Sequence, residues 1–348
     1  MARVAILAGC VAPGRDGVGD HSRRLAEELV RVGHEVLLIG LTGNEPSDVV
    51  AGPLRIRAFP YALDDSPGAR EVRGLLADFG PDLVSVQFVP WSHGPRGTGR
   101  RLERLLRTID APRWQIMLHE LWLHDTPIRR QRLLGLLQRR AIRQLLRARP
   151  WDVVHTSIEH YRRLLASVGV EARILPLFGN IPVPGGAEPL PDPDGLLHFG
   201  TPPSPERWPA IADEIAQIAP DLPIRLVGGA EDARAAFAAT LRAAGLDVHD
   251  LGRLDDRELA GELARARVGL VRISRRYAGK SGVLAAMLEH GLPVWAPGLV
   301  PPDPPKVHDR LTDALTAPRR PARSRLHAVA WQMMHDARVD TQGLQPPS

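Results

Sequence analysis

The stretch LPLFGNIPVPGGAEPLPDPDG, at residues 175–195, divides the sequence into two halves of similar organisation. From Pro176 to Gly195 it contains six prolines and four glycines, which is typical of a linker because both residue types interrupt helices and strands. We therefore expect two domains joined by a linker at residues 179–195.

Short apolar runs alternate with amphipathic helical stretches on both sides of this linker. The predicted strands are residues 4–8, 36–39, 83–88, 115–118, 153–154, 196–199, 224–227, 248–251, 268–273 and 294–296. Such strands, alternating with helices, are typical of parallel sheets covered on both faces. The sequence therefore predicts an α/β protein with two doubly wound, Rossmann-like domains, at residues 1–178 and 196–322, that face a central cleft. The prolines at 301–305 are expected to end the second domain, before a final helix over 323–338 and a tail over 339–348.

The composition excludes several classes of protein. With 348 residues, 44% apolar and 24% charged, the chain is globular rather than disordered or fibrous. Cys10 is the only cysteine, so no intrachain disulfide can form and a reducing compartment fits. No apolar run reaches the length of about 18 residues that a membrane-spanning helix needs. Residues 7–10 (LAGC) resemble a lipoprotein cleavage box, but the apolar run before it is too short for a signal peptide, so we expect a cytoplasmic protein.

Positive charge is concentrated in one part of the chain. Between residues 96 and 149, 14 arginines stand against 4 acidic residues, whereas the net charge of the whole chain is +5. This distribution indicates a local anionic partner rather than general nucleic-acid binding. Among 45 basic residues only Lys280 and Lys306 are lysines, so a lysine at a candidate site carries information.

A glycine-rich segment, GRDGVGDHS at residues 14–22, follows the first predicted strand and leads into a helix. Glycine lets the backbone approach a ligand, and a helix N-terminus offers N–H groups to an anion. The dinucleotide fingerprint G-x-G-x-x-G is not met, because Ser22 replaces its third glycine, and this disfavours a nicotinamide enzyme. Gly17, Gly19 and Asp20 are candidates for ligand contact. The structural alternative is a tight turn at the glycines, with Asp20 as the N-cap.

His119 begins the segment HELWLHD, which follows the strand predicted over 115–118. The zinc motif H-E-x-x-H is nearly matched, but Leu123 replaces its second histidine. His124 would lie about 500° around a helix from His119, so the two would not share a face, and zinc is disfavoured. Because the carboxyl ends of parallel strands face the ligand, we expect His119 to contact a ligand rather than to fill the core.

The segment SRRYAGKSG, at residues 274–282, lies between a predicted strand and a helix. It imitates the phosphate loop G-x-x-x-x-G-K-[ST], with Ser274 in place of the first glycine. That loop normally follows the first strand of a domain, whereas this one follows a late strand, so ATP hydrolysis is disfavoured. Lys280 beside a glycine-flanked helix N-terminus still favours a phosphate; the alternative is a surface lysine.

Five motifs together resemble retaining glycosyltransferases of the two-Rossmann (GT-B) class, specifically family 4. They are GVGDHSRRLAEEL (17–29), LHE (118–120), LVGGAEDA (226–233), DVHDLGRLDDREL (247–259) and KSGVLAAMLEHGLPV (280–294). The resemblance covers about residues 3–300. It implies a nucleotide-sugar donor held mainly by the C-terminal domain, with its diphosphate at a helix N-terminus and its sugar in contact with His119. Donor contacts are accordingly expected at Gly17, Gly19, Arg207, Gly252, Arg253, Leu254, Arg272, Lys280, Ser281, Gly282 and Glu289.

The sequence departs from the family pattern at the donor site. Two glutamates of the family correspond to Ala278 and Ala286, and the second of them normally holds the ribose hydroxyls. Glu289, one turn further on, is a candidate replacement; the alternative is a solvent-facing helix glutamate. The family's arginine after the first C-domain strand is Thr201. We therefore expect Lys280 and Arg207 to supply the cations at the diphosphate, without a metal ion. The D-x-D at 192–194 lies in the proline-rich linker and is discounted as a metal motif.

The stretch at residues 129–149 is basic and amphipathic, with eight arginines and with leucines on another face. It has three interpretations: a helix on an anionic membrane surface, a domain helix with a solvated polar face, or a site for an acceptor bearing carboxylate or phosphate groups.

The sequence thus predicts a cytoplasmic glycosyltransferase that needs no cofactor and binds no nucleic acid, with peripheral contact to the inner membrane face through residues 127–149. Its acceptor is expected on the N-terminal domain, at Gln87, Trp91 and Glu120. Transfer is expected to be retaining; if it inverts, Asp20 or His119 must act as the base. The first rival is a non-catalytic sugar-nucleotide-binding protein, and the second is a nicotinamide oxidoreductase.

Overall fold

A computed structural model describes residues 1–124, 126–184, 192–297 and 307–339, together with Thr341. The chain forms two compact units: Met1–Pro176 with the chain from Leu326 onward, and Leu177–Arg325. Four predicted features lie wholly or partly outside the described residues: Asp125 of the histidine segment, the middle of the linker (185–191), the domain end at 301–305, and most of the tail.

An eight-stranded sheet forms the centre of the first unit. Its strands are β1 (Arg3–Ala8), β2 (Glu35–Gly40), β3 (Ser47–Ala51), β4 (Leu54–Ala58), β5 (Leu83–Phe88), β6 (Trp114–Leu118), β7 (Val153–Thr156) and β8 (Arg173–Ile174). Their order across the sheet is β3-β4-β2-β1-β5-β6-β7-β8, and every neighbouring pair is parallel except β3 with β4. β5 and β6 are buried along their whole length, as expected of strands with helices on both faces.

Five α-helices connect these strands: α1 (Gly17–Arg31), α2 (Pro67–Phe79), α3 (Arg100–Leu106), α4 (Arg129–Arg147) and α5 (Glu159–Ala166). A short 3-10 helix, Pro90–His93, follows β5. α1 begins after the N-cap Asp16, whose carboxylate accepts a hydrogen bond from the N–H of Val18. Its buried face includes Leu25, Ala26 and Leu29, so it covers the sheet with its apolar stripe.

The second unit contains a six-stranded sheet. Its strands are β9 (Asp194–Phe199), β10 (Ile224–Val227), β11 (Val248–Gly252), β12 (Ala266–Leu270), β13 (Val294–Trp295) and β14 (Val307–His308), all parallel and in the order β11-β10-β9-β12-β13-β14. Leu196 and Leu197, successive residues of β9, pack into two different apolar clusters, so that both faces of this sheet are covered.

The helices of the second unit are α6 (Trp208–Ile218), α7 (Glu231–Ala243), α8 (Asp256–Arg265), α9 (Gly282–Glu289) and α10 (Leu311–Thr316), with 3-10 helices at Pro205–Arg207 and Arg275–Lys280. The last helix, α11 (Leu326–Asp336), returns to the first unit. There His327 on α11 approaches Glu28 on α1, with 2.8 Å between its Nδ1 and the carboxylate Oε1.

The predicted fold class, two Rossmann-like α/β domains, is confirmed. Each of the ten predicted strands is present, with ends that shift by up to three residues. β3, β4, β8 and β14 were not predicted. β3 is almost entirely exposed and pairs antiparallel at the sheet edge, so it lacks the continuous apolar run that identifies the central strands.

Candidate functional site

Each sheet has one switch point, where the chain has added strands on one side of its first strand and continues with strands on the other side. In the second unit β9 is followed by β10 on one side, and the chain then returns on the other side of β9 with β12. In the first unit the same change occurs between β1 and β5. In open parallel sheets, ligands bind beyond the carboxyl ends of the strands at such a switch point. The predicted site residues follow these strands or their neighbours.

Gly17 and Gly19 lie in the first turn of α1, so the alternative of a tight turn is wrong, and their contact with a ligand stays a prediction. Asp20 is likewise not the N-cap: Asp16 caps the helix, and Asp20 accepts a hydrogen bond from the N–H of Gly14 at 2.9 Å. A Cβ atom at Gly19 would lie 2.1 Å from the carbonyl oxygen of Cys10, so glycine is required there for packing. A Cβ atom at Gly17 would meet nothing within 4 Å, which leaves the helix start accessible.

His119 directly follows β6 and is 6% exposed. Its Nε2 lies 2.8 Å from Oε1 of Gln87, the penultimate residue of β5. The ring of His119 also meets the ring of His21 edge to face, with 5.1 Å between centroids. The amide of Gln87 is buried and donates to Ser85 at 2.8 Å, so Gln87 holds His119 in place; its predicted contact with the acceptor stays a prediction.

Acidic and imidazole groups gather around the start of α1. Burial raises the pKa of Asp16 against the lowering effect of the Val18 N–H, and the charge of Glu120 raises it further. Burial lowers the pKa of His21 well below its ordinary value, and the nearby His119 and Arg24 contribute in the same direction. Asp16 was not predicted as a site residue. Its signal in the sequence is an aspartate immediately before the glycines that open the first helix.

Trp91 lies on the 3-10 helix after β5 and is 46% exposed. This helix packs against the loop after β1, since a Cβ atom at Gly9 would lie 2.6 Å from Cβ of Ser92. The structure therefore brings Trp91 to the same switch point as the loop that leads to Gly17, as expected for a residue that follows β5.

The predicted phosphate segment forms the 3-10 helix Arg275–Lys280 followed by α9. Ser281 is the N-cap of α9, and its hydroxyl accepts the N–H of Leu284 at 3.1 Å, while Gly282 is the first residue of the helix. The Lys280 ammonium lies over the ring of Tyr277, 5.8 Å from its centroid. α9 therefore presents its N-terminus after β12, at the switch point of the second sheet.

The loop after β9 meets this segment. A Cβ atom at Gly200 would lie 3.1 Å from Cγ2 of Val283 on α9, and one at Gly229 would lie 2.4 Å from the carbonyl oxygen of Gly200. Hydrogen bonds from its own N–H and from Ser204 lower the pKa of Glu206, and the charge of Arg272 contributes to this lowering. The loops after β9 and β12 are thus neighbours, with Arg272 exposed between them.

Arg207 ends the 3-10 helix after β9 and donates from Nη1 to the carbonyl oxygen of Pro297 at 2.6 Å. Gly252 ends β11 with a φ of 68°, a conformation that favours glycine. Arg253 is exposed and Leu254 is half-buried against the apolar cluster around α9. These residues follow the carboxyl ends of β9 and β11, on the same edge of the parallel sheet as Lys280.

Glu289 is 2% exposed, so the alternative of a solvent-facing glutamate is wrong. Its carboxylate accepts a hydrogen bond from the N–H of Arg325 at 3.2 Å, which ties it to the end of the second unit. Its role at a ribose stays a prediction. The discounted D-x-D has a structural use, because Asp194 pairs with Arg225 and Arg265.

The basic helix α4 buries Gly135, Gln138, Ala141, Ile142, Leu145 and Leu146. The Gln138 amide accepts the N–H of Leu123 at 3.0 Å and donates to the carbonyl oxygen of Arg96 at 3.1 Å, which fixes the segment after His119. That segment is not helical, and the Nε2 atoms of His124 and His160 lie 2.9 Å apart.

Other apolar residues of the α4 region stay exposed: Leu133, Leu136 and Leu137 on α4, and Ile128 at its N-cap. Within the part of the chain that the structure describes, no helix is long and apolar enough to cross a membrane.

Comparisons with known proteins agree with this architecture. Residues 16–180 match the family described as glycosyl transferase 4-like domain. A glycosyltransferase from Rickettsia africae ESF-5 is similar in structure, with a TM-score of 0.53 and 11% identity over 86% of this chain and 79% of that chain. An alpha-glucosyltransferase in complex with UDP gives a TM-score of 0.52 and 14% identity over 85% and 80% of the two chains. No curated protein sequence matches the chain. The chain has the GT-B fold, and the family match supports glycosyl transfer as its general class of activity.

Proposed function

We propose that this chain, whose residues 16–180 match a glycosyl transferase 4-like domain, moves a hexose-like sugar from a nucleoside-diphosphate sugar to an acceptor. The second unit holds the donor, and the first unit supplies His119 and the contacts to the acceptor. Transfer proceeds with retention and without a metal ion, and it takes place in the cytoplasm.

The arrangement at the switch point of the second sheet carries this proposal. Arg207 and Arg272 follow β9 and β12, and Lys280 with Ser281 precedes the first turn of α9. Cations and helix N–H groups at one edge suit a diphosphate, because they stabilise the negative charge that grows as the sugar leaves. The alpha-glucosyltransferase of similar fold was solved with UDP, which supports a nucleoside diphosphate as the ligand.

The first unit offers the groups that transfer requires. In a retaining reaction the departing phosphate takes the proton of the acceptor hydroxyl, so no strong base is needed, and His119 contacts the donor sugar. If the reaction inverts, the base must be a carboxylate or imidazole near the sugar. Asp20 and His119 are the predicted bases, and Asp16 joins them as a further carboxylate at the start of α1, with a pKa that burial raises above its ordinary value.

A second candidate function is binding of a sugar nucleotide without catalysis. One observation favours it: at the two positions where the family resemblance expects glutamates, Ala286 is fully buried and Ala278 packs against the apolar cluster around α9. The donor site therefore lacks both glutamates of the family pattern and must bind its ligand through other residues. Such a site can retain binding without catalysis.

One experiment separates the two candidates. The protein is incubated with UDP-, GDP-, ADP- and dTDP-sugars, and both the shift in melting temperature and the release of free nucleoside diphosphate are measured. A ligand at about 100 times its dissociation constant adds about 2.7 kcal/mol to stability. We expect a shift with one nucleotide class and slow release of its diphosphate, and loss of this release in His119→Ala with the shift retained. A shift without release supports the binding protein, and no shift with any donor contradicts both.

We further propose that α4 docks on an anionic membrane surface, at the inner face of the cell membrane. The α4 surface is defined here as the exposed apolar residues Ile128, Leu133, Leu136 and Leu137 with the exposed arginines Arg129, Arg130 and Arg132. Leu133 and Leu137 are one turn apart, 62% and 46% exposed, and α4 contains no acidic residue. Exposed leucines beside arginines suit the boundary between lipid headgroups and acyl chains.

A further inference from the structure

A continuous row of buried, hydrogen-bonded side chains connects His119 with the C-terminal helix α11. It starts at His119 Nε2, 2.8 Å from Gln87 Oε1, and continues from Gln87 Nε2 to Ser85 Oγ at 2.8 Å. The next steps join Ser85 Oγ to Gln115 Oε1 at 2.6 Å and Gln115 Nε2 to His155 Nδ1 at 3.1 Å.

The row ends at Asp336, the last residue of α11. His155 Nε2 lies 3.0 Å from Asp336 Oδ2, and Arg173 Nη1 donates to Asp336 Oδ1 at 2.6 Å. All of these residues belong to the first unit, and Ser85, Gln115 and His155 are fully buried. The row therefore runs through the interior of the unit to a surface ion pair.

Strand register explains why the side chains meet. Ser85 and Gln87 are two residues apart on β5, so they point to the same face of the sheet. Ser85 pairs with Gln115 on β6, and Gln115 pairs with Val153 on β7, two residues before His155. All four polar side chains consequently share one face of three adjacent parallel strands. α11 lies over this face, since Met333 Sδ is 3.9 Å from Ser85 Oγ.

The ends of the row fix the direction of every hydrogen bond in it. Arg173 can only donate, and an ionised Asp336 can only accept, so His155 must carry its proton on Nε2. A neutral His155 then accepts at Nδ1 from the Gln115 amide N–H, and the Gln115 oxygen must accept from the Ser85 hydroxyl. Ser85 accepts from the Gln87 N–H, and the Gln87 oxygen accepts from Nε2–H of His119.

The surroundings of His155 and Asp336 favour a neutral imidazole and an ionised carboxylate. Burial lowers the pKa of His155 against the raising effect of Asp336, so the ring is neutral at neutral pH. Burial raises the pKa of Asp336, but the hydrogen bonds from His155 and Arg173 outweigh it and leave a net lowering.

We propose that Asp336 is a positioning residue that acts through this row to hold His119 as its Nε2–H tautomer. The lone pair of the ring is then on Nδ1, so any group that hydrogen-bonds to Nδ1 must be a donor, such as a sugar hydroxyl. The consequence for catalysis rests on the proposed function, in which His119 contacts the donor sugar; the tautomer itself does not.

The substitution Asp336→Asn tests this direction with almost no change of shape. Arg173 still requires an oxygen, so the amide of the new asparagine faces His155 with its NH₂ group. His155 must then accept at Nε2 and carry its proton on Nδ1. Every following bond reverses, with both glutamine amides turned over, and His119 ends as the Nδ1–H tautomer.

The readout is the tautomer of each ring in protein labelled with ¹⁵N-histidine, from long-range ¹H–¹⁵N correlation spectra at about pH 8, above the ordinary histidine pKa of about 6.5. The chain has 13 histidines, and His119→Gln and His155→Gln assign the two signals. We expect Nε2–H on both rings in the unchanged protein and Nδ1–H on both in Asp336→Asn. An Nδ1–H signal for His119 in the unchanged protein overturns the proposal, even if the variant does not fold. Retention of Nε2–H on His119 in Asp336→Asn overturns it as well.

Arg173→Ala is the matched control, because it removes the same ion pair but leaves the carboxylate as the acceptor for His155. We expect both rings to keep Nε2–H in this variant; a change of tautomer there overturns the assignment to Asp336. If the chain releases nucleoside diphosphate, Asp336→Asn should also lower kcat about tenfold more than Arg173→Ala, because a wrong tautomer misplaces the proton that the substrate meets. A failure of the proposed function removes this last comparison alone, since the spectra need no substrate.

Discussion

The backbone of Gly179 lies directly against Ala286 on α9: a Cβ atom at Gly179 would be 2.6 Å from Cα and 2.8 Å from the backbone nitrogen of Ala286. Ala286 is 1% exposed. The position where the family resemblance expects a ribose-binding glutamate is thus closed by a neighbouring backbone, and an alanine is the side chain that fits.

Ala286→Glu is therefore expected to destabilise the protein rather than to restore a family-like donor site. An added buried charge and an overpacked side chain together cost about 3 kcal/mol or more. Urea unfolding measures this change, and Ala278→Glu is the matched control because Ala278 is only partly buried. Equal stability of the two variants, with tighter donor binding by Ala286→Glu, would contradict the closed position.

Lys280→Ala is expected to weaken binding of the nucleoside diphosphate while the corresponding nucleoside binds nearly as before. A charge-assisted contact of this kind contributes about 1.5–3 kcal/mol, or about ten- to a hundred-fold in affinity. Isothermal titration with both ligands gives the comparison. Arg257→Ala, which removes an exposed charge from α8, controls for the general field and should change neither affinity. Equal losses for nucleoside and diphosphate in Lys280→Ala would disprove the phosphate contact.

Replacing Leu133, Leu136 and Leu137 together by Gln should weaken the binding of the α4 surface to anionic vesicles. These side chains are exposed, so the variant should fold as before, but it loses the apolar part of the interaction, and we expect binding to be weaker by about tenfold or more. Sedimentation with vesicles that contain phosphatidylserine measures it, and added salt should weaken binding by the unchanged protein because each arginine near the surface contributes about 1 kcal/mol.

The control for this experiment is the replacement of Val49 and Val50 by Gln, because they are exposed apolar residues on β3, outside the α4 surface. It should leave vesicle binding unchanged. Binding to neutral vesicles that equals binding to anionic ones would contradict the electrostatic part of the proposal. No binding to either kind of vesicle would contradict membrane docking, and α4 would then be a domain helix with a solvated polar face.

His93 is expected to make the stability of the first unit depend on pH. Burial lowers its pKa from 6.5 to about 4, and among the described residues neither ring nitrogen has a hydrogen-bond partner. Because the folded pKa lies below the unfolded one, the unfolded chain binds more protons between these values. The free energy of unfolding therefore falls as the pH falls from 6.5 to about 4, by about 3 kcal/mol from this residue alone.

His93→Phe tests this pH dependence, because a phenyl ring can replace the imidazole that stacks on Phe88. Urea unfolding at several pH values should show a shallower loss of stability toward acid, with equal or higher stability at pH 7. The exposed His249 provides the control, since His249→Ala should keep the slope of the unchanged protein. An unchanged slope in His93→Phe would show that other groups cause the acid sensitivity.

The central strands and the two-domain organisation could be predicted because they depend on local patterns. A strand covered on both faces, such as residues 4–8, must be apolar nearly throughout, and this run is visible without any knowledge of its neighbours. The exposed edge strand β3 has no such requirement, and it becomes a strand only through its pairing with β4.

The candidate site was predicted in part, for a related reason. His119, Lys280 and the glycines before α1 stand at strand ends, and in a parallel sheet the strand end alone determines which edge a residue faces. The alternative that Asp20 is the N-cap was wrong: Asp16 and Asp20 both precede plausible helix starts, and only the backbone conformation at Asp16 distinguishes them.

The sequence by itself determined the fold class and the edge on which the candidate donor residues lie, since these follow from periodicity and chain order. Tertiary structure alone decided that Ala286 is closed by Gly179, that Leu133 and Leu137 stay exposed, and that Asp336 reaches His119 through buried side chains. Those relationships join residues that are far apart along the chain. They depend on strand register and on the packing of α11 in the first unit. Local sequence patterns predict neither of these.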